Sequence, residues 1–73
     1  MKITIENTSK IVNLDGVPAR IWEGRTESGI AVICYITRIA APIGENQSEF
    51  QHELQQVRNP SPAAEAIPLR LII

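Results

Sequence analysis

Residues 30–36 read IAVICYI, a run in which both sets of alternating positions are apolar and no residue is charged. Successive side chains of a β-strand point to opposite faces of the sheet, so a strand of this composition needs cover on both faces. A single amphipathic helix covers one face only. The run therefore predicts a sheet whose second face is covered by another copy of the chain or, alternatively, by a loop such as residues 40–46.

The N-terminal part of the chain predicts two further strands and a hairpin. Residues 2–6 alternate between polar and apolar side chains, as a half-buried strand does, and the turn formers of residues 7–9 separate them from a second short strand at 11–14. Asp15-Gly16 follows, and this dipeptide is typical of a two-residue turn with positive φ at both residues. It predicts antiparallel pairing with a third strand over residues 19–26.

A second hairpin joins the third strand to a fourth strand, predicted over residues 30–39. Its loop is Glu27-Ser28-Gly29. A two-residue loop would place Trp22 opposite Tyr35, whereas a three-residue loop with a left-handed glycine at its end would place Trp22 opposite Cys34. The sequence leaves both registers open.

One helix is predicted after this sheet. Ser48 followed by Gln51 three residues later has the form of a capping box, which opens a helix. Apolar residues recur at i, i+4 and i+7 and form a single stripe: Phe50, Leu54 and Val57. The helix is therefore amphipathic and is expected to lie on one face of the sheet until Asn59-Pro60-Ser61-Pro62 ends it.

The C-terminal residues predict one more strand. Residues 63–66 suit either a short helical turn or an extended connection, and residues 69–73 form an apolar run interrupted by Arg70. The predicted order is β-β-β-β-α-β. We expect one α+β domain over residues 1–73, with an antiparallel sheet of about five strands and one amphipathic helix packed on one face.

The size of the chain favours self-association. A domain of 73 residues buries only about 60% of the surface that its unfolded chain exposes, so its stability is marginal without an additional constraint. The single cysteine, Cys34, excludes an intrachain disulfide, and the single histidine, His52, has no partner at ligand spacing for a closed zinc site. We therefore expect a homo-oligomer and no bound metal.

Charge and hydropathy exclude other classes of partner. Seven Lys and Arg against eight Asp and Glu give a formal net charge of -1, which argues against non-specific nucleic-acid binding. The N-terminus lacks the apolar segment of a signal peptide, and the run at residues 30–36 is too short to cross a bilayer. We expect no membrane association and a cytoplasmic location, where an unpaired cysteine stays reduced.

The sequence contains no recognisable arrangement of catalytic residues and no cofactor-binding motif. The glycines are scattered, so there is no phosphate loop, and two of them lie in predicted turns. His52 follows the capping box on a solvated helix, and Cys34 lies in an apolar strand where burial disfavours the thiolate. An enzymatic function would need a composite site from several subunits, using Glu23 or His52. We expect a non-enzymatic protein without catalytic residues.

Arginine and aromatic residues remain as the candidate ligand-binding set. Guanidinium groups suit phosphate oxygens and indole faces suit purine rings, which points to a small anionic, nucleotide-like ligand. The candidates are Arg20, Trp22, Tyr35, Arg38 and Arg70. Alternatively, these arginines cap sheet edges or pair with acids such as Glu23, and the tryptophan belongs to the core.

Three short segments carry a resemblance: Ile21-Trp22-Glu23-Gly24, Ile36-Thr37-Arg38-Ile39 and Ile67-Pro68-Leu69-Arg70. In these segments, and over most of its length, the chain resembles small accessory proteins encoded by temperate Mu-like bacteriophages and their prophages. The resemblance implies a phage protein that counters the defence of the infected host cell. Such a protein either sequesters a nucleotide signal in an oligomer pocket or masks the surface of a host protein, and a minor structural role in the virion is a further alternative.

Overall fold

The computed structural model describes residues 1–62 and shows an α+β fold. Three strands and one helix follow in the order β1 (Ile3–Leu14), β2 (Val17–Thr26), β3 (Ala31–Ile36) and α1 (Gln47–Leu54). The strands form one antiparallel sheet with β2 in the centre. The predicted antiparallel sheet with one helix is confirmed.

The predicted number of about five strands is wrong for the described part of the chain, which has three. One reason is that the two strands predicted at residues 2–6 and 11–14 are a single long strand, β1. The strand predicted at residues 69–73, and the connection at 63–66, lie outside the described residues.

Strand β1 carries a β-bulge where the sequence predicts a turn. Its register with β2 shifts between Asn7 and Ile11, so that three residues of β1 face one residue of β2. The fully buried Thr8 donates its hydroxyl hydrogen to the Ile21 carbonyl oxygen at 2.7 Å. This bond satisfies a buried acceptor that the interrupted ladder would leave unpaired. The turn predicted at residues 7–9 is therefore wrong, because the bulge accommodates these polar residues.

Both predicted hairpins are confirmed. Asp15 and Gly16 have φ values of 51° and 85°, as the two-residue turn requires. In the second hairpin Gly29 has a φ of 88°, and Trp22 lies opposite Cys34. The structure thus selects the three-residue loop from the two registers that the sequence left open.

Strand β3 ends at Ile36, three residues before the predicted end. Continued pairing in this register would bring Arg38 opposite Pro18 of β2. Proline has no N–H group to donate to a neighbouring strand, so the next hydrogen bond between β2 and β3 cannot form there. From Thr37 onward the chain instead leaves β2 towards the helix, and Ile39 lies against the helix side of the sheet.

The helix begins two residues earlier than expected. Asn46, and not Ser48, is the N-cap: its Oδ1 accepts hydrogen bonds from the Glu49 N–H at 3.0 Å and from the Ser48 hydroxyl at 2.9 Å. An asparagine is as good an N-cap as a serine, so residue type alone does not distinguish the two positions. Val57 of the predicted stripe lies beyond the end of α1.

The two faces of the sheet have different neighbours. Trp22 and its partner Asn7 point to what we call the helix face, because the Asn7 Nδ2 donates a hydrogen bond to the Leu54 carbonyl oxygen of α1 at 3.0 Å. Ala19 and Ile21 alternate with Trp22 and point to the opposite face, where each is 1% exposed.

After the helix the chain crosses the edge of β1 to that opposite face. The Arg58 carbonyl oxygen accepts a hydrogen bond from the Ser9 N–H at 2.8 Å, and the Arg58 N–H donates to the Asn7 carbonyl oxygen. Three residues later Ser61 hydrogen-bonds to Glu23 on the opposite face. The segment at residues 58–61 thus covers this face at Glu23, which neither sequence-based alternative included. Cover by a second copy stays a prediction.

Candidate ligand-binding site

A cleft of about 410 Å³ lies between the helix face of the sheet, the segment after β3 and the C-terminal half of α1. We call it the arginine cleft, because it brings together three of the predicted site residues, Arg20, Trp22 and Arg38. Its lining residues are Arg20, Trp22, Ile36, Thr37, Arg38, Ile39, Gln51, Leu54 and Gln55.

Arg20 is held in this cleft by the bulge of β1. Arg20 and Trp22 are two residues apart on β2, so their side chains point to the same face. The Arg20 Nη1 donates a hydrogen bond to the Thr8 carbonyl oxygen at 2.7 Å, a group that the bulge turns out of the ladder. This bond uses one of the five guanidinium N–H groups and fixes the plane of the side chain.

The arginine cleft has the electrostatics of an anion site. Arg38 is exposed and reaches the cleft from the segment after β3, opposite Gln51 and Gln55 of the helix end. The lining within residues 1–62 includes two arginines and two amide side chains but no carboxylate. Neither glutamine was among the predicted site residues, although their four-residue spacing places them on one face of the helix.

A second cleft, of about 690 Å³, adjoins the first one. We call it the acid-rimmed cleft, because Glu6 and Glu53 contribute to its lining. The two clefts share Trp22, Ile39 and Leu54. The complete lining is Ile5, Glu6, Asn7, Trp22, Ile39, Phe50, Glu53, Leu54, Gln56, Val57 and Arg58.

Two predicted site residues do not join this group. Tyr35 lies opposite Ile21 on the other face of the sheet, so its hydroxyl is separated from the arginine cleft by the sheet itself. Burial raises the pKa of Tyr35 above its usual value. Arg70 lies outside the described residues.

A polar cluster on the opposite face links Glu23 to the segment after the helix. Glu23 is 8% exposed and accepts hydrogen bonds from the Ser61 hydroxyl, from the Ser61 N–H at 3.0 Å and from the Arg58 Nη1 at 2.9 Å. The Ser61 hydroxyl lowers the pKa of Glu23 most; the Ser61 N–H and Arg58 lower it further, against the opposing effect of burial. The predicted pairing of Glu23 with a strand arginine is thus replaced by Arg58, which no local pattern singles out.

Within residues 1–62 no group of three or more His, Cys, Asp or Glu side chains could hold a metal ion. The same residues include no helix that is long and apolar enough to cross a membrane. No known protein family, curated protein or solved structure matches the chain.

Proposed function

We propose that the protein is a non-enzymatic binding protein that, as a homo-oligomer, sequesters a small anionic, nucleotide-derived signal in the host cytoplasm. The resemblance to accessory proteins of Mu-like phages suggests that this sequestration counters host defence. The observation that carries the proposal is the arginine cleft, in which Arg20 and Arg38 lie beside Trp22. A guanidinium group can donate two parallel hydrogen bonds to the oxygens of one phosphate, and an indole face stacks on a base.

The dimensions and charge of the cleft support a ligand of this class. Pockets for small molecules have volumes of about 300–1,000 Å³, and the arginine cleft falls within that range. An anion that enters it loses water but meets two guanidinium groups, one of them already oriented by Thr8. Preorganisation of this kind reduces the entropy lost when the ligand binds.

Calorimetry with cyclic dinucleotides and ADP-ribose derivatives tests the proposal. We expect at least one of these compounds to bind, and Arg38→Ala to weaken its binding about 10- to 100-fold, because a hydrogen bond to a charged group contributes roughly 1.5–3 kcal/mol. Arg25→Ala is the matched control, since Arg25 donates to the Gly29 carbonyl oxygen in the hairpin and lies outside both clefts.

Stability must be measured beside binding for each variant, because a cation near a helix C-terminus also stabilises the helix. If none of these compounds binds, the proposal is contradicted. An equal loss of affinity in Arg25→Ala and Arg38→Ala would show that only the general charge of the protein matters.

The β3 edge supports the homo-oligomer. Within the described residues β3 is hydrogen-bonded to β2 alone, and its sequence AVICYI contains neither a charge nor a proline that would protect an edge. Exposed isoleucines flank it, with Ile30 at 63% and Ile39 at 46% exposure. Such an edge can pair with a second copy of itself, because an antiparallel pair of identical strands has twofold symmetry.

Light scattering of the purified protein tests the oligomer. We expect a mass that is a multiple of the 8.1 kDa chain, and Ile30→Lys to weaken the association at least about tenfold, because it places a charge beside the pairing edge. Ile11→Lys is the control: Ile11 is also exposed, at 57%, but lies on β1 at the other side of the sheet. A monomer at high concentration would contradict this part of the proposal.

An alternative function uses the same edge. If a host protein occupies β3 and its exposed isoleucines, the protein is an inhibitor that masks a host defence protein. A pull-down from host lysate separates the two functions: a stable host partner combined with no binding of the small-molecule panel favours the inhibitor.

A further inference from the structure

We propose that the two adjoining clefts are halves of one site that takes a linear nucleotide, with its base in the acid-rimmed cleft and its phosphate in the arginine cleft. This inference rests on the proposed function and specifies its ligand. It predicts selection against a cyclic dinucleotide, in which each base has phosphates on both sides.

Shared walls make the two clefts continuous. Trp22, Ile39 and Leu54 line both, so a ligand that covers the indole extends into each of them. The acid-rimmed cleft adds the apolar side chains of Ile5 and Phe50, which suit a planar base. Its volume of about 690 Å³ exceeds that of the arginine cleft, as expected if it holds the base, which is larger than a phosphate group.

The charges of the two halves are opposite in sense. The arginine cleft has Arg20 and Arg38 and, within residues 1–62, no carboxylate. In the acid-rimmed cleft the exposed Glu53 carries the negative charge. The other acid of its lining, Glu6, is the cross-strand partner of Glu23, and both pair with Arg58: the Nε lies 3.3 Å from Glu6 Oε2 and the Nη1 2.9 Å from Glu23 Oε2.

A phosphate is therefore attracted to one half and repelled from the other. An uncharged base has no such penalty in the acid-rimmed half, so the charge pattern sets the direction in which the ligand lies. Selection by repulsion of the wrong ligand complements the attraction of the right one.

Calorimetry at low salt, where exposed charges are least screened, tests this orientation with three probes: adenosine 5′-monophosphate, ribose 5-phosphate and cyclic di-adenosine monophosphate. We expect the mononucleotide to bind at least about tenfold more tightly than ribose 5-phosphate, because base stacking contributes roughly 1–3 kcal/mol. We also expect it to bind more tightly than the cyclic dinucleotide.

A substitution in the acid-rimmed half isolates the repulsion. Glu53→Gln is expected to strengthen binding of the cyclic dinucleotide about threefold, the size of an exposed charge interaction, and to leave the mononucleotide within about twofold. Glu49→Gln is the matched control, since Glu49 is an exposed acid of the same helix outside both clefts.

The outcomes separate this inference from the function beneath it. The proposed orientation is overturned if the mononucleotide and ribose 5-phosphate bind equally, or if the unaltered protein binds the cyclic dinucleotide more tightly. Either result would still support an anion site in the arginine cleft. An absence of binding by all three probes and by the ADP-ribose derivatives overturns both.

Discussion

Gly24→Ala is expected to destabilise the protein by about 3 kcal/mol and to lower its melting temperature by about 15 °C. Gly24 lies opposite Ile5 in the pairing of β1 with β2. A Cβ at this position would overlap the Thr4 carbonyl oxygen and stand 2.7 Å from the Ile5 Cα. These are backbone atoms that cannot rotate away, so the two strands would have to move apart over several hydrogen bonds. Urea unfolding followed by circular dichroism measures the loss.

Gly44→Ala is the matched control for this substitution. Gly44 has a φ of 106°, so an alanine there is strained, but no atom lies within 4 Å of its added Cβ. We expect a loss of about 1 kcal/mol from the backbone conformation alone. Similar losses in the two variants would show that glycine conformation, and not the close approach of β1 to Gly24, sets the stability.

Local sequence patterns were sufficient for the two hairpin turns, though not for residues 7–9. Asp15-Gly16 requires positive φ at two consecutive residues, and few other dipeptides allow that, so the first hairpin follows from chemistry within two positions. The second hairpin was equally evident, but its register was not. Both loop lengths satisfy the apolar pattern of residues 30–36, because either face of that strand can be buried.

The bulge in β1 could not be read from residues 7–9 alone. Asn, Thr and Ser favour turns, but they also supply the side-chain hydrogen bonds that a bulge needs. What decides between the two is the Ile21 carbonyl oxygen, which accepts from Thr8, and this acceptor lies 13 residues away in sequence. Interactions of that range leave no periodicity in the sequence.

The candidate site shows the same division. The placement of Arg20 and Trp22 on one face follows from their spacing of two along a strand. Arg38 is two residues beyond Ile36, the partner of Arg20, so the observed three-residue loop directs it to the same face, and the sequence left that register open. Tyr35 falls on the opposite face because the observed register places Cys34 opposite Trp22, and adjacent residues of a strand point to opposite faces.

The second large effect is expected at Glu23. We expect Glu23→Gln to destabilise the protein by about 2 kcal/mol, because the carboxylate accepts from the Ser61 hydroxyl, the Ser61 N–H and the Arg58 guanidinium, and an amide cannot accept all three as well. Small domains typically have stabilities of about 5 kcal/mol, so such a loss is a large fraction of the total.

Glu6→Gln is a close control, because Glu6 pairs with the same arginine. Its carboxylate lies 3.3 Å from the Arg58 Nε, but the Glu6 side chain is 74% exposed, against 10% for Glu23. Exposed ion pairs contribute little, so we expect a loss of no more than about 0.5 kcal/mol. If the two variants lose the same amount, the hydrogen bonds of the buried carboxylate are not what holds residues 58–61 against the sheet.

The stability difference between the unaltered protein and Glu23→Gln should also depend on pH. The pKa of Glu23 is lower in the folded protein than its ordinary value of 4.5, so the folded state binds a proton less readily than the unfolded state. The carboxylate therefore stabilises the fold fully above pH 4.5, and this contribution is lost as the pH falls through the lower, folded-state pKa. Urea midpoints of both proteins from neutral to acid pH should converge at the acid end. A difference that stays constant over this range would mean that the ionised form of Glu23 is not the stabilising one.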